Sequence, residues 1–145
     1  MTTGESIPWC GGSIITKLHI LSAAHCTDNK YAQEVEVLLG EHLTSDSVAD
    51  RRSLKSIVHH PQYDGALYDF SILTLLTPII FSPMASPICL PFNIQSDYSD
   101  QTATTTGWGD TTVEGEPSEV LKEVNVTVLS NDDCSKAYAA NTIQK

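Results

Sequence analysis

Basic side chains are scarce in this sequence of 145 residues, in which 8 lysines and arginines stand against 18 aspartates and glutamates. The formal net charge is -10. Because phosphate groups need basic side chains to neutralise them, this balance argues against nucleic-acid binding. It argues equally against docking on an anionic membrane surface.

Long hydrophobic runs are absent as well. A membrane-spanning helix needs roughly 18 consecutive apolar residues, and no stretch of that kind exists, so we expect nothing to span a bilayer. Residues 1–9 show neither the basic nor the apolar region of a signal peptide, and the sequence predicts none. Cysteine is limited to four residues, a number that suggests an oxidising compartment without deciding it. Secretion and the missing signal peptide are therefore in tension.

What is present is a globular composition arranged in short strands. The chain is 41% hydrophobic and 18% charged, and its length is that of one ordinary domain. Apolar runs recur between clusters of Asp, Ser, Gly and Pro, which is typical of an all-β fold. The runs that we predict to be strands are 13–16, 19–22, 34–39, 54–58, 70–76, 102–107 and 120–129.

Two further segments have other signatures. Residues 80–101 contain several prolines and are predicted to cross the surface between two β units. A helix is predicted after Ser130, because Ser130 and Asp133 resemble a capping box. Acidic Asp132 and Asp133 would complement the helix dipole in the first turn.

The sharpest motif pairs CGGS at residues 10–13 with LSAAHC at residues 21–26. Fifteen residues separate Cys10 from Cys26, which is enough for a two-stranded hairpin whose ends can meet in a disulfide. In the chain-entropy model a loop of that size contributes about 3 kcal/mol. Such a disulfide would hold His25 at the end of a strand.

Asp69 opens the most apolar of the predicted strands. A carboxylate that is taken out of water there needs a partner, or it destabilises the fold by several kcal/mol. A histidine N–H would supply that partner and would fix the imidazole tautomer. Two smaller motifs complete the set, TGWG at residues 106–109 and PICLP at residues 87–91.

In this order the four motifs resemble the trypsin/chymotrypsin-like serine endopeptidases, peptidase family S1, from Pro8 to at least Tyr138. The resemblance implies an all-β fold of two antiparallel β-barrels with the active site in the cleft between them. It implies an incomplete version here: an N-terminal barrel over residues 1–79, a crossover linker over 80–101 and the start of a second barrel over 102–145.

The resemblance also implies a chemistry and a set of residues. Members of the family hydrolyse peptide bonds through an acyl-enzyme, and we expect no cofactor and no metal. His25 matches the catalytic histidine and Asp69 the acid that orients it, while Cys10 and Cys26 match a disulfide of the family. The implied partners are polypeptide substrates and protein inhibitors, and the implied location is extracellular.

Three features of the family pattern are missing. No serine after Asp69 has the flanking glycines of the nucleophile's Gly-Asp-Ser-Gly-Gly context. Trp9 abuts Cys10, so most of the family's opening strand is skipped, and the Ile-Val-Gly-Gly activation terminus is absent. We interpret the sequence as a truncated form of a secreted protease, with two of three catalytic residues and no activity alone. The alternative is a non-catalytic protease homologue that acts as a binding or regulatory module.

Two interpretations concern metals. The other histidines are interpreted as surface or loop residues, because their spacing matches no zinc site. They are His19, His42, His59 and His60. Residues 41–50 offer oxygen donors, but their pattern does not match a calcium loop.

Two further points stay open. Cys89 and Cys134 would pair by even-number arithmetic, whereas the resemblance places the partner of each outside this chain. Asn125-Val126-Thr127 is an N-glycosylation sequon. Because it lies in a predicted strand, a modified and an unmodified asparagine are equally consistent with the sequence.

Overall fold

The computed structural model describes residues 8–44, 50–92, 97–113 and 115–142. The chain divides into two units, Met1–Leu90 and Pro91–Lys145. That boundary falls inside the segment 80–101, which the sequence predicts to be a crossover. The predicted domain limits themselves stay predictions.

Within its described residues, the first unit is built on five strands. They are β1 (Ser13–Ile14), β2 (His19–Ser22), β3 (Glu36–Leu39), β4 (Asp50–His59) and β5 (Ser71–Leu75), and a 3-10 helix (Ala32–Glu34) precedes β3. The spatial order is β1-β2-β5-β4-β3, with every neighbouring pair antiparallel. The sheet curls into half of a barrel.

Strict alternation of side chains places the core on one face of this sheet. Along β5, Ser71, Leu73 and Leu75 are buried, whereas the residues between them are only half-buried. Leu73 lies opposite Ile20 on β2 and opposite Ile57 on β4. The other buried hydrophobic residues of this core are Ile20, Cys26, Val35, Val37, Leu39, Leu54, Leu75 and Ile79.

Most of the described strands differ from their predicted limits. β1 ends at Ile14 instead of residue 16, and β5 spans Ser71–Leu75 instead of 70–76. β3 and β4 differ at their starts. β3 begins at Glu36 instead of residue 34, because Glu34 ends the 3-10 helix and its carboxylate accepts the Tyr31 N–H at 2.7 Å. β4 begins at Asp50 instead of residue 54, and there the Arg52 guanidinium binds the Asp50 carboxylate at 2.7 Å. An apolar pattern misses the start of β4, since those residues are charged.

The second unit is built on a β-hairpin followed by a helix. β6 (Thr102–Gly107) pairs antiparallel with β7 (Lys122–Thr127), and α1 (Asn131–Thr142) follows. The predicted cap is confirmed, because the Ser130 hydroxyl accepts the Asp133 N–H at 3.1 Å and donates to the Asp133 carboxylate at 2.7 Å. Such a cap satisfies a backbone N–H that the first helical turn leaves open.

Strands dominate the described residues, so the predicted all-β class is confirmed. The predicted strand 120–129 is shorter than expected, because β7 occupies only its central part. Among the residues that the structure describes, no helix has the length and apolar character needed to cross a membrane.

Candidate active site

His25 lies in the turn that follows β2. The Thr27 N–H donates to the Ala24 carbonyl at 3.0 Å and closes this turn. Ala24 is fully buried, so the sequence supplies a small side chain at a position without contact to solvent. His25 itself is exposed. The turn therefore exposes the imidazole of His25 to solvent while the preceding residue, Ala24, is buried.

A disulfide joins Cys10 to Cys26, as predicted, with 6.1 Å between the Cα atoms. The Trp9 indole N–H donates to the Cys26 carbonyl at 3.0 Å. At Gly12, a Cβ atom would lie 2.7 Å from Ile20 Cγ2, and such a contact is too close for any residue but glycine. The segment around Cys10 is thus pressed against β2 and anchors the chain next to His25.

Asp69 is the centre of a tight turn immediately before β5. The Phe70 N–H donates to the Tyr68 carbonyl across Asp69 at 2.8 Å. Tyr68 adopts a left-handed φ of 54°, a conformation that is unfavourable by about 1–2 kcal/mol for a residue with a side chain. Its ring stacks on His60, with centroids 4.8 Å apart, and this contact offsets part of the strain.

His25 and Asp69 are joined by two hydrogen bonds although they lie far apart in the sequence. The Asp69 Oδ2 is 2.6 Å from His25 Nδ1, and its Oδ1 accepts the His25 backbone N–H at 2.8 Å. The carboxylate therefore fixes both the ring and the main chain of the histidine. These hydrogen bonds, with the ring contact as the larger cause, lower the pKa of Asp69 below its ordinary value.

The ionised carboxylate also sets the histidine tautomer. A carboxylate can only accept, so the proton of neutral His25 resides on Nδ1 and the lone pair on Nε2. The side chain of His25 is 61% exposed. Nε2 lies 3.5 Å from Cys26 Sγ, which is part of the disulfide and has no proton to donate. The arrangement offers a basic nitrogen at the surface with an oriented carboxylate behind it.

A network of buried hydroxyls connects the two segments that carry this pair. The Ser71 hydroxyl, on β5, donates to the Ala23 carbonyl at 3.1 Å in the turn before His25. Thr27 Oγ1 lies 3.4 Å from Ser71 Oγ and 3.0 Å from His59 Nε2. Ser71 and Thr27 are 1% and 0% exposed. These hydrogen bonds connect β5 to the turn that carries His25.

Sequence reasoning missed this network. His59 was expected to be a surface or loop residue, but it ends β4 and is half-buried against Thr27. The sequence did contain a signal for this network. Ser71, Leu73 and Leu75 are the alternate, inward-facing positions of β5, and Ser71 is the polar residue among them. A buried hydroxyl needs a hydrogen-bond partner, and Ser71 follows Asp69 by only two positions.

The described residues contain a single group of metal-ligand side chains close enough to share an ion, namely Cys10, His25 and Cys26. The two sulfurs are joined in the disulfide, whereas metal ligation needs thiolates. The group is therefore explained by the disulfide beside His25. Residues 45–49 lie outside the described residues, so the interpretation of the 41–50 segment stays a prediction.

The remaining cysteines carry free thiols, Cys89 exposed and Cys134 half-buried. His19 lies on β2, where its Nδ1 is 2.8 Å from Thr16 Oγ1. His60 contacts the rings of both Tyr68 and Phe70. None of these residues belongs to the His25–Asp69 pair.

Comparison with known proteins places the chain in a family. The sequence model named Trypsin matches residues 1–145. This chain belongs to the trypsin family. The resemblance drawn from the four motifs is confirmed, and with it the chymotrypsin-like fold class, of which the curled sheet of the first unit forms part of one barrel.

Relatives in the family include longer proteins. A venom serine protease of Polistes dominula is 34% identical over 141 residues, which cover 91% of this chain and 50% of that protein. The proclotting enzyme of Tachypleus tridentatus is 34% identical over 143 residues, covering 89% and 38%. The serine proteinase stubble of Drosophila melanogaster is 34% identical over 135 residues, covering 89% and 17%. The chain thus spans half or less of the length of these relatives.

Proposed function

We propose that this chain is part of an extracellular serine endopeptidase and supplies two members of its catalytic triad. His25 is the general base and Asp69 is the residue that orients it. The observation that carries this proposal is the double hydrogen bond between them, at 2.6 Å to the ring and 2.8 Å to the backbone. The polypeptide substrate and any protein inhibitor would meet the exposed face of His25.

The proposed step follows from the proton positions. Nε2 of His25 removes the hydroxyl proton of the nucleophilic serine as that oxygen attacks the scissile carbonyl. The positive charge that develops on the imidazole is stabilised by the Asp69 carboxylate. The same Nε2 then returns the proton to the leaving amine. The carboxylate itself stays ionised throughout, which agrees with the lowered pKa of Asp69.

We propose that none of the serines among these 145 residues is the nucleophile, because none lies in a Gly-Asp-Ser-Gly-Gly context. The oxyanion hole of the family is formed next to that serine, so the same proposal applies to it. We therefore expect the chain by itself to be inactive as a peptidase, because His25 and Asp69 have no acyl transfer to assist.

An extracellular location is supported by the disulfide. Cys10 and Cys26 are joined in the structure, and structural disulfides persist mainly in oxidising compartments. Polypeptides as substrates follow from the family to which the chain belongs.

The first experiment incubates the pure chain with a fluorophosphonate probe and with peptide esters. We expect neither covalent labelling nor turnover. Turnover that disappears in the His25→Ala variant would show that the chain holds a nucleophile of its own and would contradict the expectation.

The second experiment determines the coding sequence beyond Lys145 and expresses the longer protein. With a Gly-Asp-Ser-Gly-Gly segment present, His25→Ala is expected to abolish turnover, while His19→Ala, on β2 and outside the pair, is expected to keep it. A substituted serine would instead favour the alternative, a non-catalytic homologue that acts as a binding module.

A further inference from the structure

The β6–β7 hairpin has one face made of polar side chains. Side chains alternate between the two faces of a strand, and directly paired residues share a face. Three pairs therefore lie on one face: Thr102↔Thr127, Thr104↔Asn125 and Thr106↔Glu123. The chain offers hydroxyl, carboxamide and carboxylate groups at every position of this face, which is suited to water.

The opposite face of the hairpin has a different character. The pairs there include Ala103↔Val126 and Thr105↔Val124. Val124 and Val126 are 54% and 44% exposed. Burial of these two apolar side chains would be favourable. The valine face is therefore the side of the hairpin suited to packing, and the threonine face is the side suited to solvent.

Asn125 lies at the centre of the polar face. The oxygen and the nitrogen of its carboxamide have different surroundings. Its Oδ1 accepts a hydrogen bond from the Thr104 hydroxyl at 2.8 Å. This contact fixes the carboxamide and turns Nδ2 away from Thr104. Within the described residues Nδ2 has no acceptor, and Asn125 is exposed. Nδ2 is the atom through which asparagine carries N-linked glycans.

Thr127, the hydroxyl residue of the sequon, lies on the same face two positions further along β7. The intervening Val126 points to the other face. The sequon thus presents its asparagine and its threonine together on the water-facing side, and its apolar residue on the side suited to packing. Asn125-Val126-Thr127 is also the only Asn-X-Ser/Thr sequence in the chain.

We propose that Asn125 is an N-glycosylation site and that the threonine face of the hairpin carries the glycan. The donor is an oligosaccharide linked to a lipid through pyrophosphate. Nδ2 loses a proton and forms a bond to the anomeric carbon, while the bond from that carbon to the pyrophosphate breaks and the lipid pyrophosphate leaves. The transfer acts on the extended chain, and the folded hairpin then leaves the glycan in solvent.

This proposal rests on the extracellular location proposed above but not on peptidase activity. The test is therefore made independent of both. The full chain is translated behind a cleavable signal sequence in the presence of microsomes, with a second sequon placed in an added flexible tail as an internal reporter. Peptide-N-glycosidase F treatment and gel mobility then count the glycans on each molecule.

The expected result is two glycans on the parent chain and one on each of the variants Asn125→Gln and Thr127→Ala. Thr127→Ser retains a sequon and should keep both glycans, and Asn131→Gln, in α1 and outside any sequon, should also keep both. A parent chain that carries the reporter glycan alone would overturn the proposal. So would a second glycan that survives Asn125→Gln.

Discussion

The two units of the chain differ in what holds them together. In the first unit Leu73, Leu75 and Ile79 are at most 2% exposed, and they belong to one cluster of buried hydrophobic residues. In the second unit none of the residues whose side chains are described is buried, and every residue of β7 is exposed. The proposed catalytic pair lies in the unit that has a core, where a fixed geometry can be maintained.

The same contrast appears in the polar contacts. His25 and Asp69 are 44 positions apart, and Ser71 and Ala23 are 48 apart. In the second unit several side-chain contacts are local, such as Ser130 with Asp133, three positions apart. Contacts of long range exist only when the unit is folded, whereas local ones survive in short segments. The histidine–aspartate pair is thus a product of the tertiary fold.

The largest expected difference between the units comes from truncating one apolar side chain in each. Leu73→Ala should lower the free energy of unfolding of the first unit by about 2–5 kcal/mol, since it leaves a cavity in a closed core. Val124→Ala, at a position that is 54% exposed, should change the second unit by less than about 1 kcal/mol.

Each unit contains one tryptophan, Trp9 or Trp108, so denaturation can be followed separately. Fluorescence in a Trp108→Phe background reports the first unit, and fluorescence in a Trp9→Phe background reports the second. Equal effects of the two truncations would show that the two units do not differ in how their apolar residues stabilise them.

The disulfide is expected to give the next largest effect. Replacing Cys10 and Cys26 together by alanine removes a constraint on the unfolded chain, and the first unit should lose about 3 kcal/mol. Cys134→Ser, which changes a free thiol in the second unit, should be neutral within about 0.5 kcal/mol. The Trp9 fluorescence used above measures the first change. An unaltered first unit would show that the disulfide contributes little.

Much of the candidate site was accessible from the sequence because its parts lie in short motifs. His25, Asp69 and the Cys10–Cys26 disulfide were expected, and the structure brings all four residues close to one another. The helix cap at Ser130 could also be predicted from the sequence, since capping depends on residues three positions apart. The cap is encoded by local geometry, whereas His25 and Asp69 were assigned by the resemblance of their motifs to the family.

The parts that sequence reasoning missed depend on tertiary packing. The charged start of β4 is a strand because it pairs with β3, and no apolar periodicity marks it. Thr27, His59 and Ser71 meet only after β4 and β5 have packed against the histidine turn. A hydroxyl in a strand is ordinary until its burial and partners are known.

A smaller difference is expected from removing one hydroxyl in each unit. Ser71→Ala leaves the partly buried Ala23 carbonyl without this donor, and the first unit should lose about 1–3 kcal/mol. Thr104→Ala removes a hydroxyl of an exposed pair, and the second unit should change by less than about 0.5 kcal/mol.

A further readout separates positioning from simple stabilisation. The proton on Nδ1 of His25 should give a downfield NMR resonance while it is held by Asp69. Ser71→Ala should broaden or shift it at temperatures where the chain is still folded, whereas Thr104→Ala should not. An unchanged resonance would mean that Ser71 stabilises the unit without positioning the pair.

The smallest effect concerns two aspartates whose pKa values are lowered by different kinds of partner. Asp69 is lowered below 3.8 chiefly by the His25 ring, and Asp97 below 3.8 chiefly by the Ser99 hydroxyl, two positions away. A carboxyl whose folded pKa lies below its unfolded value stabilises the fold at pH above the unfolded value. That stabilisation is lost as the pH falls through the folded pKa. For Asp69 the loss should therefore occur below pH 3.8.

Because the partner of Asp69 is distant in sequence, denaturant should return its pKa to the ordinary value, whereas Asp97 and Ser99 can stay in contact in an unfolded segment. Carbon NMR of the two carboxyl groups against pH, with and without denaturant, measures both. His25→Ala should raise the pKa of Asp69 part of the way, since the backbone N–H at 2.8 Å remains, and should leave Asp97 unchanged. Ser99→Ala should raise the pKa of Asp97 and leave that of Asp69 unchanged. A pKa of Asp69 that stays equally low in His25→Ala would show that the imidazole does not hold this carboxylate.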